Sequence, residues 1–331
     1  VGLAVFRGFL WIGDPHLTRV KPERRLDDFA ETVFDKLSQA ARICHRRKLV
    51  AVITGDLFHR AMESSLPLLS KLWDIGKEFP CAPWVLDGNH GKKESYLSDA
   101  DALTFMAKVG TFPVIREAGF AYTFDFEAGK VNLWGTPHGF PIPKEIDARE
   151  GLNVMVTHHD LAFKGAYPGA ALLHEIKGCD VVVNGHMHKT APSIEKGQTI
   201  WHNPGNIIRL SLDTKDHVPS VWEWTPDKPR ELLQHPLQYV REVFDLTGTQ
   251  VAPASNTALK KSLPKVMKLS QFAELLSVNT AKEARRSGDG GTMEKEIRDA
   301  LSASEAPEAL RALLSALAKE VSEDMVNQGQ V

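Results

Sequence analysis

The stretch Val181-Val182-Val183-Asn184-Gly185-His186-Met187-His188 constrains the fold more than any other. Three β-branched residues predict a buried strand, Asn-Gly marks a turn, and two imidazoles follow one residue apart. A His-x-His pair leaving a strand end in a tight loop can aim both rings at one place or at two adjacent cations. Four more stretches end alike, each an apolar run followed by Asp, Asn or His. They are Phe9-Leu10-Trp11-Ile12-Gly13-Asp14-Pro15-His16, Val50-Ala51-Val52-Ile53-Thr54-Gly55-Asp56, Trp84-Val85-Leu86-Asp87-Gly88-Asn89-His90 and Val154-Met155-Val156-Thr157-His158. Five strand ends carrying hard oxygen and borderline nitrogen donors predict a fold that gathers those ends in one place.

The intervening segments fit that expectation. Leu26, Phe29, Ala30, Val33, Leu37, Ala40, Ala41 and Cys44 recur near a period of 3.6 and predict a helix over 26–47. Its last turn, His45-Arg46-Arg47-Lys48, suits the negative end of a helix. Further helices are expected over 63–79, with Pro67 in the first turn, and near 99–109. Strands are expected at 9–12, 50–55, 83–86, 113–117, 120–126, 130–135, 152–157 and 180–184, then a meander of 199–203, 207–212 and 218–224. Helices alternating with strands early, then mainly strands, predict an α/β fold of two sheets packed face to face with helices outside.

With 331 residues and 43% hydrophobic content, the chain can bury one large core plus an appendage. Residues 1–245 read as the catalytic domain and 246–256, small and polar, as a linker. Residues 257–331 read as a helical C-terminal region. In its last helix Leu310, Leu313, Leu314, Leu317 and Val321 form one stripe, suited to its own domain, to a partner or to a second copy. A net charge of −2 argues against a polybasic binder held to nucleic acid by charge alone. Cys44, Cys81 and Cys179 are isolated in sequence and read as small buried hydrophobes. With no apolar run of transmembrane length and no leader pattern, a soluble, cytoplasmic protein is expected.

The donor inventory suits phosphoester cleavage by two divalent ions about 3.5–4 Å apart, which needs a bridging anion, further oxygen and imidazole donors and open positions. Asp56 is the natural bridge, since each carboxylate oxygen can hold one ion. Asp14, His16 and His188 would complete the first ion, and Asn89, His158 and His186 the second. His90, beside a ligand yet assigned no ion, could stabilise the pentacovalent phosphorus or protonate the leaving alkoxide. Mixed nitrogen and oxygen ligation favours manganese, with iron or zinc also suited. His159 is expected as a substrate contact or a support behind the ligands. His138, in Gly135-Thr136-Pro137-His138-Gly139, reads as a surface histidine in a loop that could border the site.

The series Asp14-x-His16, Gly55-Asp56, Gly88-Asn89-His90, His158 and Gly185-His186-x-His188 is similar to the signature of the calcineurin-like metallophosphoesterases. That resemblance runs from about residue 9 to 224 and implies a four-layered αββα sandwich with a dimetal site at the strand ends. Gly55-Asp56-Leu57-Phe58-His59 resembles the SbcD-type repair nucleases, which partner an SMC-like ATPase. On that branch His59 would lie beside the substrate phosphate. Asn203-Pro204-Gly205-Asn206 running into Ile207-Ile208-Arg209 also resembles it and makes Arg209 a candidate substrate contact. Two departures stand out. Gly91 occupies the place of the acid that usually follows Gly-Asn-His, so His90 must be oriented from elsewhere. The final segment is also shorter than in many full nuclease subunits. The resemblance implies a DNA exo- or endonuclease. A phosphoesterase on cyclic nucleotides, nucleotides or phosphoproteins, and a binding subunit acting through its C-terminal helices, are the competing expectations.

Overall fold

The computed structural model describes residues 5–247 except 23, 93, 95 and 165–168. The C-terminal helices expected over 257–331, and with them the ATPase-partner and homodimer expectations, lie outside the described residues.

Among the described residues two six-stranded mixed sheets form the framework. The first contains β1 (Gly8–Ile12), β2 (Leu49–Ile53), β3 (Trp84–Leu86), β4 (Val114–Ile115), β11 (Ser220–Trp224) and β12 (Leu233–Pro236), in the order β12-β11-β1-β2-β3-β4. The second contains β5 (Gly119–Phe126), β6 (Gly129–Thr136), β7 (Leu152–His158), β8 (Val181–Gly185), β9 (Ala191–Lys196) and β10 (Thr199–Asn203), in the order β5-β6-β7-β8-β10-β9. Strands β1 to β4 run parallel, as do β6, β7, β8 and β10. The carboxyl ends of β1, β2, β3, β7 and β8 therefore carry all five sequence motifs.

Alternation along the strands assigns each face. Phe9, Trp11, Val50 and Val52 pack against Val131, Leu133, Val154, Val156, Val181 and Val183 between the sheets. Leu10, Ile12, Ala51 and Ile53 face the other way, onto α1 (Phe29–Arg47), α2 (Leu66–Lys77) and the buried side of α3 (Ala102–Lys108). Strands buried on both faces read as continuous apolar runs, the pattern of a parallel sheet covered on both sides. On the outer face of the second sheet, Trp134, Met155, Val182 and Trp201 are covered by Leu161, Phe163, Leu173 and Ile176. The fourth layer is thus made of irregular segments around 137–150 and 159–180 among the described residues.

Helix α1 starts three residues later than the periodicity predicts, because the Asp28 carboxylate accepts the Glu31 N–H and caps it. Leu26, expected on its apolar stripe, is 62% exposed. The expected strand 207–212 does not form. The backbone there threads between the strand ends, with Ile207 N–H donating to Gly13 O and Asn206 N–H to His188 O, while both isoleucines fill the core. Strands β9 and β12 were not expected, since each is a polar edge strand containing proline, where a missing N–H is tolerated. Among the described residues no helix is long and apolar enough to cross a membrane.

Candidate metal centre

Asp14, His16, Asp56, Asn89, His158, His186 and His188 meet at the convergent strand ends. Among the described residues three groups of donors each lie within a coordination-sized space: Asp14, His16 and His188; Asp56, His158 and His186; and His16, His59 and His90. Asn89 joins the second group, its Oδ1 3.1 Å from His158 Nε2 and 3.0 Å from His186 Nδ1. The first two groups touch, because Asp56 Oδ2 is 3.2 Å from His158 Nε2 and 3.8 Å from His16 Nε2.

The backbone is bent to make this possible. His16, Asp56 and His186 all have left-handed φ values, of 48°, 42° and 70°. Such conformations cost a non-glycine residue roughly 1–3 kcal/mol and concentrate at functional sites. Crossing hydrogen bonds hold them: His16 N–H donates to Asp56 O at 2.8 Å and His186 N–H to Asp14 Oδ2 at 2.7 Å. The approach is close enough that a Cβ on Gly185 would lie 2.4 Å from Thr54 O and 2.8 Å from Asp14 Oδ1.

The donors suit cations. Asp56 Oδ2 is buried and is met by His158 Nε2 at 3.2 Å without a well-formed hydrogen bond among the described residues, while its Oδ1 accepts the His90 N–H at 2.8 Å. His16 Nε2 and His188 Nε2 stand 2.9 Å apart, an arrangement that a proton or a shared cation relieves. Burial, reinforced by neighbouring histidines, holds His16 well below the ordinary imidazole range despite Asp56. His188 is lowered for the same first reason, so both rings keep the neutral form that ligates. On His158 burial opposes charge, but the Asp56 and Asp14 carboxylates outweigh it and lift the group to about 9. Burial likewise opposes charge on Asp56, yet His158 and His16 hold it well below the usual carboxylate range.

Tautomers follow from the outer partners. His158 Nδ1 lies 3.0 Å from Thr54 O, which can only accept, so Nδ1 donates there and Nε2 faces the oxygens of Asp56 and Asn89. His90 Nδ1 lies 3.1 Å from His59 O. That main-chain carbonyl does the orienting that an acid at position 91 would otherwise do, and it leaves His90 Nε2 to face a substrate. The His59 ring stacks on His90, with centroids 5.1 Å apart and 19° between planes, and both rings stand beside His16. Burial, with His90 and Arg60 adding to it, pushes His59 down to about 4.

On the other side, His138 stands 5.7 Å from His186 and 6.3 Å from both His158 and His159, centroid to centroid. It borders the site and is not the surface histidine its loop suggested. A buried pair fixes it there: Lys92 Nζ donates to Asp87 Oδ2 and to His138 O, each at 2.8 Å. Burial lowers the His138 ring to about 4 and raises Asp87 to about 6 against the pull of Lys92. His159 Nε2 donates to Phe140 O at 2.8 Å, and its Nδ1 is buried without a hydrogen-bond partner among the described residues. The substrate contact expected of Arg209 requires correction. Arg209 is only 4% exposed, and its guanidinium donates to the carbonyls of Lys215, Arg241 and Val240 and packs against Tyr239, 4.7 Å from the ring centroid. Those donors fasten the segment after β12 to the domain.

The sequence model of the calcineurin-like phosphoesterases matches residues 8–190, a span that contains Asp14, His16, Asp56, Asn89, His158, His186 and His188. The chain belongs to that family. As a calcineurin-like phosphoesterase it is a metal-dependent phosphoester hydrolase, of a family that binds two divalent metals. Comparison with curated protein sequences finds no match. Among solved structures, this phosphoesterase is similar to a 5'-nucleotidase precursor from Thermus thermophilus, at 12% identity and a TM-score of 0.38 over 68% of this chain and 52% of that one. It is also similar to a hypothetical protein from the same organism, at 8% identity and a TM-score of 0.39 over 69% of this chain and 99% of that one. The chain spans about half the length of the first of these.

Proposed function

We propose that this phosphoesterase cleaves phosphodiester bonds in nucleic acid, as a DNA exo- or endonuclease using manganese. The observation that supports this reading is the position of His59. A backbone hydrogen bond to Leu17 O at 3.0 Å holds the residue, and its ring lies against His90, a histidine given no ion. A hydrolase for monoesters needs one proton donor for its leaving group. A second neutral imidazole beside that donor suits a phosphodiester, whose non-leaving substituent also has to be placed.

In this scheme Asp14, His16 and His188 would hold the first ion and Asn89, His158 and His186 the second, with Asp56 available to both. Two bound divalent ions supply Lewis acidity at the phosphoryl oxygens and lower the pKa of water. His90 gives the proton on Nε2 to the departing alkoxide oxygen, and His59 O keeps the ring in register through Nδ1. His59 donates a hydrogen bond to the phosphodiester. His138 and His159 wall the opposite side.

The deciding assay offers manganese-loaded protein labelled single- and double-stranded DNA, bis-p-nitrophenyl phosphate and a nucleoside monophosphate in parallel. Cleavage of DNA is the expected result. Turnover of the small esters with DNA left intact overturns the nucleic-acid reading and leaves the phosphoesterase chemistry standing.

A further inference from the structure

An imidazole ligand has two nitrogens, and the one turned away from the ion needs a partner that fixes its proton. His158 has a main-chain carbonyl, Thr54 O. His186 is built differently. Its Nδ1 is turned to Asn89 Oδ1 at 3.0 Å, and its Nε2 lies 3.2 Å from the carboxylate of Asp160. We propose that Asp160 is the positioning carboxylate of His186, accepting the Nε2–H so that Nδ1 presents its lone pair to the second ion. This assignment rests on the dimetal reading of the centre.

Three features of the structure carry it. His186 sits on a left-handed turn immediately after β8, so its ring is not placed by strand register. Its side chain is 21% exposed, so packing alone does not lock the ring. Asp160 is also held where the contact can form. Asp160 O accepts the Ala171 N–H at 2.9 Å, and Leu161 makes a β-bridge with Ala171. One residue back, His159 N–H donates to Asn184 Oδ1 at 3.1 Å and His159 O accepts from Asn184 Nδ2 at 3.0 Å. Asn184 lies two residues before His186, so the loop 158–160 is bonded directly to the strand that carries the histidine. One short loop then supplies an ion ligand, His158, and the group that orients another ligand.

The chemistry has a direction. A carboxylate behind a ligating imidazole fixes its tautomer and makes it a stronger donor, and losing it typically weakens metal binding about 10- to 100-fold. The Asp160 side chain is 60% exposed, so the contact carries little of the desolvation penalty of a buried ion pair. His158 Nδ1 has a carbonyl, Thr54 O, as its hydrogen-bond partner, with Asp14 Oδ1 farther off at 3.8 Å. The second ion would therefore depend on a group at the rim.

The test uses the full chain stripped of metal and titrated calorimetrically with Mn²⁺. Wild type should take up two ions. Asp160→Ala should weaken one of the two sites about 10- to 100-fold and leave the other within about twofold. Asp160→Asn, which keeps an acceptor oxygen but no charge, should fall between. In the zinc-loaded protein, ¹⁵N shifts should report ligation of His186 through Nδ1 and a protonated Nε2. Unchanged affinity at both sites in Asp160→Ala, equal weakening of both, or ligation through Nε2 each overturns the assignment. A wild-type chain that takes up fewer than two ions overturns the dimetal centre itself and this assignment with it.

Discussion

Gly88→Ala tests the geometry of the centre with the addition of one methyl group. Gly88 lies between β3 and Asn89, and an ideal Cβ built on it falls 2.2 Å from Asp56 Oδ1, 2.6 Å from Asp56 N and 2.9 Å from Asp56 Cγ. Ordinary contact begins near 3.5 Å, so Asp56 and the Gly88 strand end must separate by roughly 1 Å or more. Rotating the Asp56 side chain does not relieve the clash, since one of the atoms met is its main-chain nitrogen. That main chain is pinned at a left-handed φ of 42° by the hydrogen bond from His16 N–H to Asp56 O. The Asp56 carboxylate must therefore move, and a displacement of about 1 Å at a reacting centre can cost about 100-fold in rate. Stability should fall by about 1–3 kcal/mol, the usual range for overpacking. Gly110→Ala is the control: its φ of 76° strains an alanine, but no atom lies within 4 Å of the added methyl. Both variants should melt earlier than wild type, and only Gly88→Ala should lose hydrolysis of bis-p-nitrophenyl phosphate and bound manganese. A Gly88→Ala protein that keeps two ions and works within about threefold of wild type would refute the crowding argument.

His90→Ala should lower turnover about 10²- to 10⁴-fold while the ions stay bound, measured by rate and by metal analysis; loss of metal would instead make His90 part of the ion cage. Arg209→Ala strands the carbonyls of Lys215, Arg241 and Val240, so urea denaturation should show a loss of about 1–3 kcal/mol with the small-ester rate nearly unchanged. A large rate loss without destabilisation would return Arg209 to the substrate. His59, His138 and His202 are each pushed by burial to about 4, below the unfolded value near 6.5. The unfolded chain binds more protons in that window, so the metal-free protein should lose stability as pH falls from 6.5 toward 4, and a flat urea midpoint across it would contradict the burial. His158, lifted to about 9, has the opposite sign: its contribution is complete below about 6.5 and disappears as pH rises through 9. Manganese competes with that proton, so apparent affinity should rise with pH up to about 9, with proton release measurable by calorimetry in two buffers.

The convergence of these donors was legible because they are written at strand ends, where an apolar run fixes the position of the next few residues. Five such runs with matching termini leave little freedom once β1, β2 and β3 are parallel in one sheet and β7 and β8 parallel in the other. His138 obeys the same rule, yet sequence reading preferred a surface histidine in a loop that could border the site. It follows β6, whose Thr136 pairs in register with Thr157 of β7, one residue short of His158. The run Val131–Trp134 and the Gly-Thr-Pro-His after it were a sixth strand end of the same kind. The groups that hold it in place were hidden, because Asp87 and Lys92 look like solvated loop charges and only the fold buries them against the His138 carbonyl. The orientation of His90 by His59 O was invisible for a different reason: a main-chain carbonyl leaves no residue-type signal at all. Arg209 was misplaced because its neighbourhood was read as substrate-facing, whereas the guanidinium turns to carbonyls at 215, 240 and 241 that no local pattern announces. Sequence pattern, then, gives access to donors that a strand delivers, while the partners that orient those donors come from loops and main chain. The rate of this enzyme should accordingly be as sensitive to glycines and loop carboxylates around the centre as to the ligands themselves.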